Sequence, residues 1–125
     1  MLNRIQLIGH LGKDPESQFL QSGDQVVHFS IATTERWKNK AGEQQDRTEW
    51  HSIVCFGKLA EICSEYLKKG SLVYVEGKIQ TRSWDDKEGN KKFKTEILIN
   101  TMKMLDKKRG NGKSDREPGE DDYVQ

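Results

Sequence analysis

The sequence lacks most of what an enzyme, a metalloprotein or a membrane protein displays. It holds two cysteines, Cys55 and Cys63. They stand too far apart for a CxxC site and have no further Cys or His at metal-ligand spacing, which argues against a zinc module and leaves two buried, reduced thiols as the expectation. The three histidines, His10, His28 and His51, form no HExxH pattern. No apolar run approaches the roughly 18 residues of a membrane span. Met1 leads directly into a strand-like stretch with no secretory leader, so a soluble, intracellular protein is expected. Phosphate loops are missing as well. Gly9–His10–Leu11–Gly12 has no following Lys-Ser/Thr, and there is no GxGxxG. Asp85–Asp86 could be imagined as a metal pair, but the neighbouring Lys87 and Glu88 mark a solvated turn. No catalytic residue, metal or cofactor is therefore expected, and no enzymatic activity.

Charge of one sign is also lacking. Among 125 residues, 21 Lys and Arg face 20 Asp and Glu, a net charge of +1. Its layout says more than its sum: residues 1–105 are mildly basic, and the acids gather at the end as Glu120, Asp121 and Asp122. The length suits one domain with one core. From Asp106 onward no apolar period remains, so residues 1–105 are expected to fold and 106–125 to form a disordered, acid-tipped tail.

What is present is mostly strand. Residues 2–12 alternate and carry Gly9, which suggests a bend or bulge there. Asp14–Pro15 breaks the stretch, and Ser22–Gly23–Asp24 marks a turn. Residues 26–34 place Val27, Phe29 and Ile31 on one face. Residues 38–47 are polar throughout and predict an exposed loop. In 48–57, Trp50, Ser52, Val54 and Phe56 share one parity, and Ile53 and Cys55 offer the better core face. Residues 58–69 predict a helix, with Leu59, Ile62, Cys63, Tyr66 and Leu67 as its apolar stripe and Gly70 ending it. Residues 71–84, with Val73, Val75, Ile79 and Thr81 on one parity, and 93–105 complete the set around a hairpin at 85–90. Five strands with a helix between the third and fourth give the order of an OB fold, an all-β, five-stranded Greek-key barrel with one helix.

Four aromatics fit this core poorly. Trp37 lies between Arg36 and Lys38, Trp84 lies beside Arg82 and before Asp85, and Trp50 and Phe56 occupy the less apolar parity of their strand. Aromatics interleaved with bases suit single-stranded nucleic acid. Any base can stack on a ring, for about 1–3 kcal/mol, and the phosphates need nearby Lys or Arg. Arg4, Arg36, Lys38, Lys58, Lys78 and Arg82 are the candidate phosphate contacts. A protein-interaction module built on the same aromatic face, or a small hydrolase, are the competing readings.

The segments LNRIQLIGHLGKDPE, FSIATTERW, TEWHSIVCFGKLAEICSEYLKKGSLVYVEGKIQTRSW and EILINTMKML resemble the bacterial and mitochondrial replication-type single-stranded DNA-binding proteins. The resemblance covers residues 1–105. It implies an OB-fold homotetramer, cytoplasmic and nucleoid-associated, that coats single-stranded DNA during replication, recombination and repair. It also implies stacking by Trp37, Trp50, Phe56 and Trp84, a subunit-interface role for His51, and basic positions at Lys58, Lys68, Lys69 and Arg82. Family tails recruit replication and repair proteins through acids followed by Ile-Pro-Phe. This tail ends Asp122–Tyr123–Val124–Gln125 instead, and Gln18, Ser52, Gln80 and Ser83 stand where Lys or Arg is frequent in the family.

Overall fold

The computed structural model describes residues 1–106, so the expected tail, apart from Asp106, lies outside the described residues. Six strands and one helix run in the order β1 (Ile5–Leu11), β2 (Glu16–Phe19), β3 (Gln25–Lys38), β4 (Gln44–Phe56), α1 (Gly57–Tyr66), β5 (Leu72–Asp85) and β6 (Lys91–Met104). The sheet order is β1-β5-β6-β4-β3-β2, and β1 also pairs with β3 through His10↔Ala32 and Leu11↔Ile31. That last pairing closes five strands into the expected OB barrel. β4 and β6 pair in parallel and every other pairing is antiparallel.

The sixth strand, β2, was not expected. It is short, fully exposed and paired only with the start of β3, so it lacks the alternating burial by which a strand is read from sequence.

The interior is filled by alternate residues of the strands, as period-2 geometry demands. Val27, Phe29, Ile31, Ile53, Cys55, Val73, Val75, Ile97 and Ile99 form the core with Ala60, Cys63 and Leu67 from the helix side. Each large aliphatic side chain removed from water contributes about 1.5–3 kcal/mol. Both cysteines are free and buried, as expected. Contact with Cys63, followed by burial, pushes the Cys55 thiol up, which keeps it a neutral core group.

Several local expectations fail for identifiable reasons. The helix stops at Tyr66, three residues early, and Tyr66 is exposed. Gly70, at φ 92°, belongs to the following turn, where its N–H donates to the Leu11 carbonyl. Lys68 and Lys69 thus lie beyond the helix, and the Lys69 N–H donates to Asp14. Gly9 makes no bulge. Its pairing with β5 is continuous, and the glycine is needed because a Cβ there would lie 2.3 Å from the Ala32 carbonyl oxygen where the barrel closes. The irregularity falls instead between Glu76 and Gly77, where a Cβ on Gly77 would meet the Leu98 carbonyl oxygen at 2.1 Å.

β6 stays paired with β4 through Ile53↔Ile97 and Val54↔Leu98, and past the buried Glu96 the β5–β6 pair continues as a two-stranded arm to Asp85↔Lys91. Ile79, on the core parity of β5 and opposite the buried Ile97, is itself exposed. The expected loop 38–47 is a second arm: β3 and β4 continue in register to Lys38↔Gln44, and only residues 39–43 turn. The two tips share one design. Asn39 accepts from the N–H groups of Ala41 and Glu43, and Asp86 accepts from those of Glu88 and Asn90. Gly42 and Gly89 supply the positive φ, 83° in each. A polar strand pair with solvent on both sides has no apolar alternation, so its sequence looks like a loop.

Candidate nucleic-acid interface

Strand register decides which side chains share a surface. On the outer side of the sheet, Trp50, Ser52, Val54 and Phe56 of β4 lie in one row. Val54 pairs with Leu98 and Leu98 with Lys78, so the row continues onto Leu98, Glu96, Lys94 and Lys92 of β6 and Lys78, Gln80, Arg82 and Trp84 of β5. Three of the four expected stacking residues therefore share one face that runs from the barrel wall onto the β5–β6 arm. Trp50 is 60% exposed, Phe56 46% and Trp84 44%.

Trp37 is not on that row. Its parity on β3 is that of the core residues, and it projects from the β3–β4 arm beside Glu35, Arg36 and Arg47, 45% exposed.

Each ring is seated differently. The Trp50 ring lies over Gly12: a Cβ there would fall 2.5 Å from its Cζ3 and 2.8 Å from its Cη2. Its cross-strand partner is the small residue Ala32. One edge of the indole is thus held by backbone while much of the ring stays open. Phe56 is the last residue of β4 and immediately precedes α1. With Arg4, Lys58 and Lys78 it lines a cleft of ≈ 680 Å³ between the start of the chain, the helix and β5. The fold thus gathers an expected ring and three expected basic residues in one place. Trp84 carries the Arg82 guanidinium 5.5 Å from its ring centroid, a cation–π arrangement.

Of the six expected phosphate contacts, four already hold an acid. Arg4 pairs with Glu76, Arg36 with Asp46 at 3.5 Å, Lys58 with Glu61 at 3.3 Å, and Arg82 with Glu96 at 2.8 Å. Among the described residues, Lys38 and Lys78 have no ion pair. Pairs of exposed side chains are weak, about 0–1 kcal/mol, and can exchange their acid for a phosphate. The Arg82 pair is of another kind, because Glu96 is 2% exposed and receives two hydrogen bonds from the guanidinium, at 2.8 and 3.2 Å. Those bonds hold the Glu96 carboxyl below its ordinary range and the Arg82 guanidinium above its own.

His51, the expected interface residue, is half-buried and shares a 2.9 Å hydrogen bond with Thr33. It faces away from the Trp50 row, as its parity implies.

Four residues of this region escaped the sequence reading. Lys92 and Lys94 stand on the Trp84 face, and Phe93, 66% exposed, stands on the other face of the same arm opposite Ser83. Their run, Lys91–Lys92–Phe93–Lys94, has the same aromatic-basic interleaving that singled out Trp37, so the signal was available. Gly12 carried no signal, because its partner lies 38 positions away in sequence.

A closed five-stranded barrel with exposed rings and lysines along one face and two protruding arms defines an OB-fold protein for extended single strands. Comparison with known proteins places it more narrowly. Residues 2–105 match the model of the single-strand binding protein family, and the chain belongs to that family. It is 58% identical over 116 residues to single-stranded DNA-binding protein 1 of Chlorobaculum tepidum, covering 91% of this chain and 72% of that one. It is 53% identical over 113 residues to single-stranded DNA-binding protein 1 of Xylella fastidiosa, covering 90% and 83%. Among solved structures, the Plasmodium falciparum SSB in complex with ssDNA superposes with a TM-score of 0.77 at 37% identity, over 85% of this chain and 96% of that one.

Proposed function

We propose that the protein binds single-stranded DNA without reading its sequence, by stacking bases on Trp37, Trp50, Phe56 and Trp84 and holding phosphates with Lys and Arg of the same surface. The observation that carries this is the row from Trp50 and Phe56 across Lys94 and Lys92 to Lys78 and Trp84. It combines open π-faces with cations and has no enclosed cavity to select one base. Arg4, Lys58 and Lys78 suit a phosphate path through the Phe56 cleft, and Arg36 and Lys38 suit one along the β3–β4 arm. The protein is not an enzyme on this reading. It covers cytoplasmic, nucleoid-associated single strands during replication, recombination and repair.

The same proposal includes self-association as a homotetramer. From Ile5 to Gly9, β1 pairs with β5 alone, and its strand pairing with β3 is confined to His10 and Leu11. An open strand edge of this length invites pairing with another chain. Ile8, Tyr74 and Leu105 add an apolar hollow of ≈ 340 Å³ beside it. His51 is proposed as an interface residue, and the acid-tipped tail as the route to replication and repair proteins.

Titration with oligo-dT tests the central reading. Intrinsic Trp fluorescence should fall steeply with single strands and little with duplex of equal length. Absence of quenching by folded protein at low salt overturns it. Light scattering at the same concentration should return four times the 14.4 kDa chain mass.

A further inference from the structure

We infer that Glu96 is a positioning residue for DNA binding, acting through Arg82 to fix the indole of Trp84. The inference rests on the stacking role proposed for Trp84. Glu96 is the one acidic side chain that is buried among the described residues, and it lies on the outer, DNA-facing side of β6, where a carboxylate repels phosphate. An acid placed there works against binding unless its charge is committed elsewhere.

The geometry shows where it is committed. Both carboxylate oxygens accept from Arg82, one from Nε at 2.8 Å and one from Nη2 at 3.2 Å. This two-point contact fixes the plane of the guanidinium as well as its position. The Arg82 Cζ lies over the Trp84 ring, 5.5 Å from its centroid, and Trp84 is two residues further along β5 on the same face. One side of the indole is thereby occupied by a cation that is itself anchored to a buried acid, and the other side is left for a base. His28, 3.9 Å from Glu96, approaches from β3, and Lys94 faces it from its own strand. Neither replaces the two-point contact with Arg82.

Arg82 therefore differs from an ordinary phosphate ligand. Its charge is balanced by Glu96 before DNA arrives, so it should release no counterion on binding. Removing a true phosphate contact lowers the salt slope of single-strand binding by about 0.7. Removing a positioning arginine leaves that slope unchanged and acts only while Trp84 is present.

The test is a double-mutant cycle on the full chain, read by oligo-dT titration at four salt concentrations. The variants are Arg82→Lys, Glu96→Gln and Trp84→Ala, with the two pairs Arg82→Lys/Trp84→Ala and Glu96→Gln/Trp84→Ala. Arg82→Lys keeps the charge beside Glu96 and loses the two-point fork that fixes the guanidinium over Trp84. It should weaken binding about two- to fivefold with the salt slope unchanged, and have no further effect once Trp84 is gone. Glu96→Gln should behave alike, or steepen the slope as the freed guanidinium reaches phosphate. If Glu96→Gln does not fold, Arg82→Lys alone decides. Equal losses with and without Trp84, or unaltered affinity in folded Arg82→Lys, overturn the inference. A wild-type protein that fails to bind oligo-dT overturns the stacking site itself, a different failure.

Discussion

Replacing Gly12 with alanine should separate binding from stability more cleanly than removing a ring. The new methyl would sit 2.5 Å from Cζ3 and 2.8 Å from Cη2 of Trp50. Carbon atoms rest at about 3.5–4.0 Å, so the ring must withdraw by roughly 1 Å or more. Trp50 can do so, because it is 60% exposed. Gly12 has no positive φ, so alanine fits the backbone, and the substitution should even favour folding slightly by restricting the unfolded chain. The loss falls on stacking geometry, bounded above by the 1–3 kcal/mol worth of one stacked base. Thermal unfolding should be unchanged or a few degrees higher, while the oligo-dT affinity falls measurably, by at most about a hundredfold. The G12A/W50A pair should bind no worse than Trp50→Ala alone. Full affinity in folded Gly12→Ala would refute the argument that this seat matters, and an unfolded variant would show that the Trp50 ring belongs to the fold.

Other perturbations address the remaining parts of the surface. Trp50→Ala and Trp84→Ala should each weaken oligo-dT binding by about 1–3 kcal/mol with little change in thermal midpoint; a midpoint loss typical of core truncation would mark them as structural. Phe93→Ala should reduce affinity by less than either, since the ring stands on the face away from Trp84; an effect as large as that of Trp84→Ala would mean that DNA runs along both sides of the arm. Acidification should destabilise the protein in part through Glu96. Arg82 lowers its folded pKa, so its contribution is complete above the unfolded value of about 4.3 and disappears as pH falls through the lower folded value. The wild-type advantage over Glu96→Gln in thermal midpoint should accordingly be constant from pH 7 to about 5 and shrink below about 4; an advantage that grows on acidification would invert the assignment.

The barrel was legible where burial leaves a pattern. Val27, Phe29 and Ile31, and Ile53 and Cys55, alternate in the sequence and fill the core as their parity implies. Legibility stopped where strands leave the core. Residues 38–47 were misassigned because, in an arm, both faces meet solvent and alternation carries no information. β2 failed likewise. The rings were visible as aromatics out of place, and three of the four do share a face. Their seats were not visible, since Gly12, Glu96 and the register Val54↔Leu98 are contacts between distant segments. Nor could a list of basic residues show that Arg82 is already committed to an acid.

The arms and the wall divide labour along single strands. In β3 the buried residues end at Ile31 and the exposed arm runs to Lys38; in β5 they end at Gly77 and the arm runs to Asp85. Each strand is thus anchored by one half and displays with the other. Substitutions at Trp37 or Trp84 touch nothing the core needs, and register is preserved because the anchored half sets it. The arrangement also explains how a chain with a net charge of +1 can serve a polyanion. Binding does not draw on overall charge. On the proposed reading it draws on rings held in place, with lysines beside them and with nearby acids either turned into the tips, as Asp86 is, or neutralised by a neighbour, as Glu96 is by Arg82. For such a surface, affinity should respond more to the placement of Trp50 and Trp84 than to the addition of further positive charge at a distance from them.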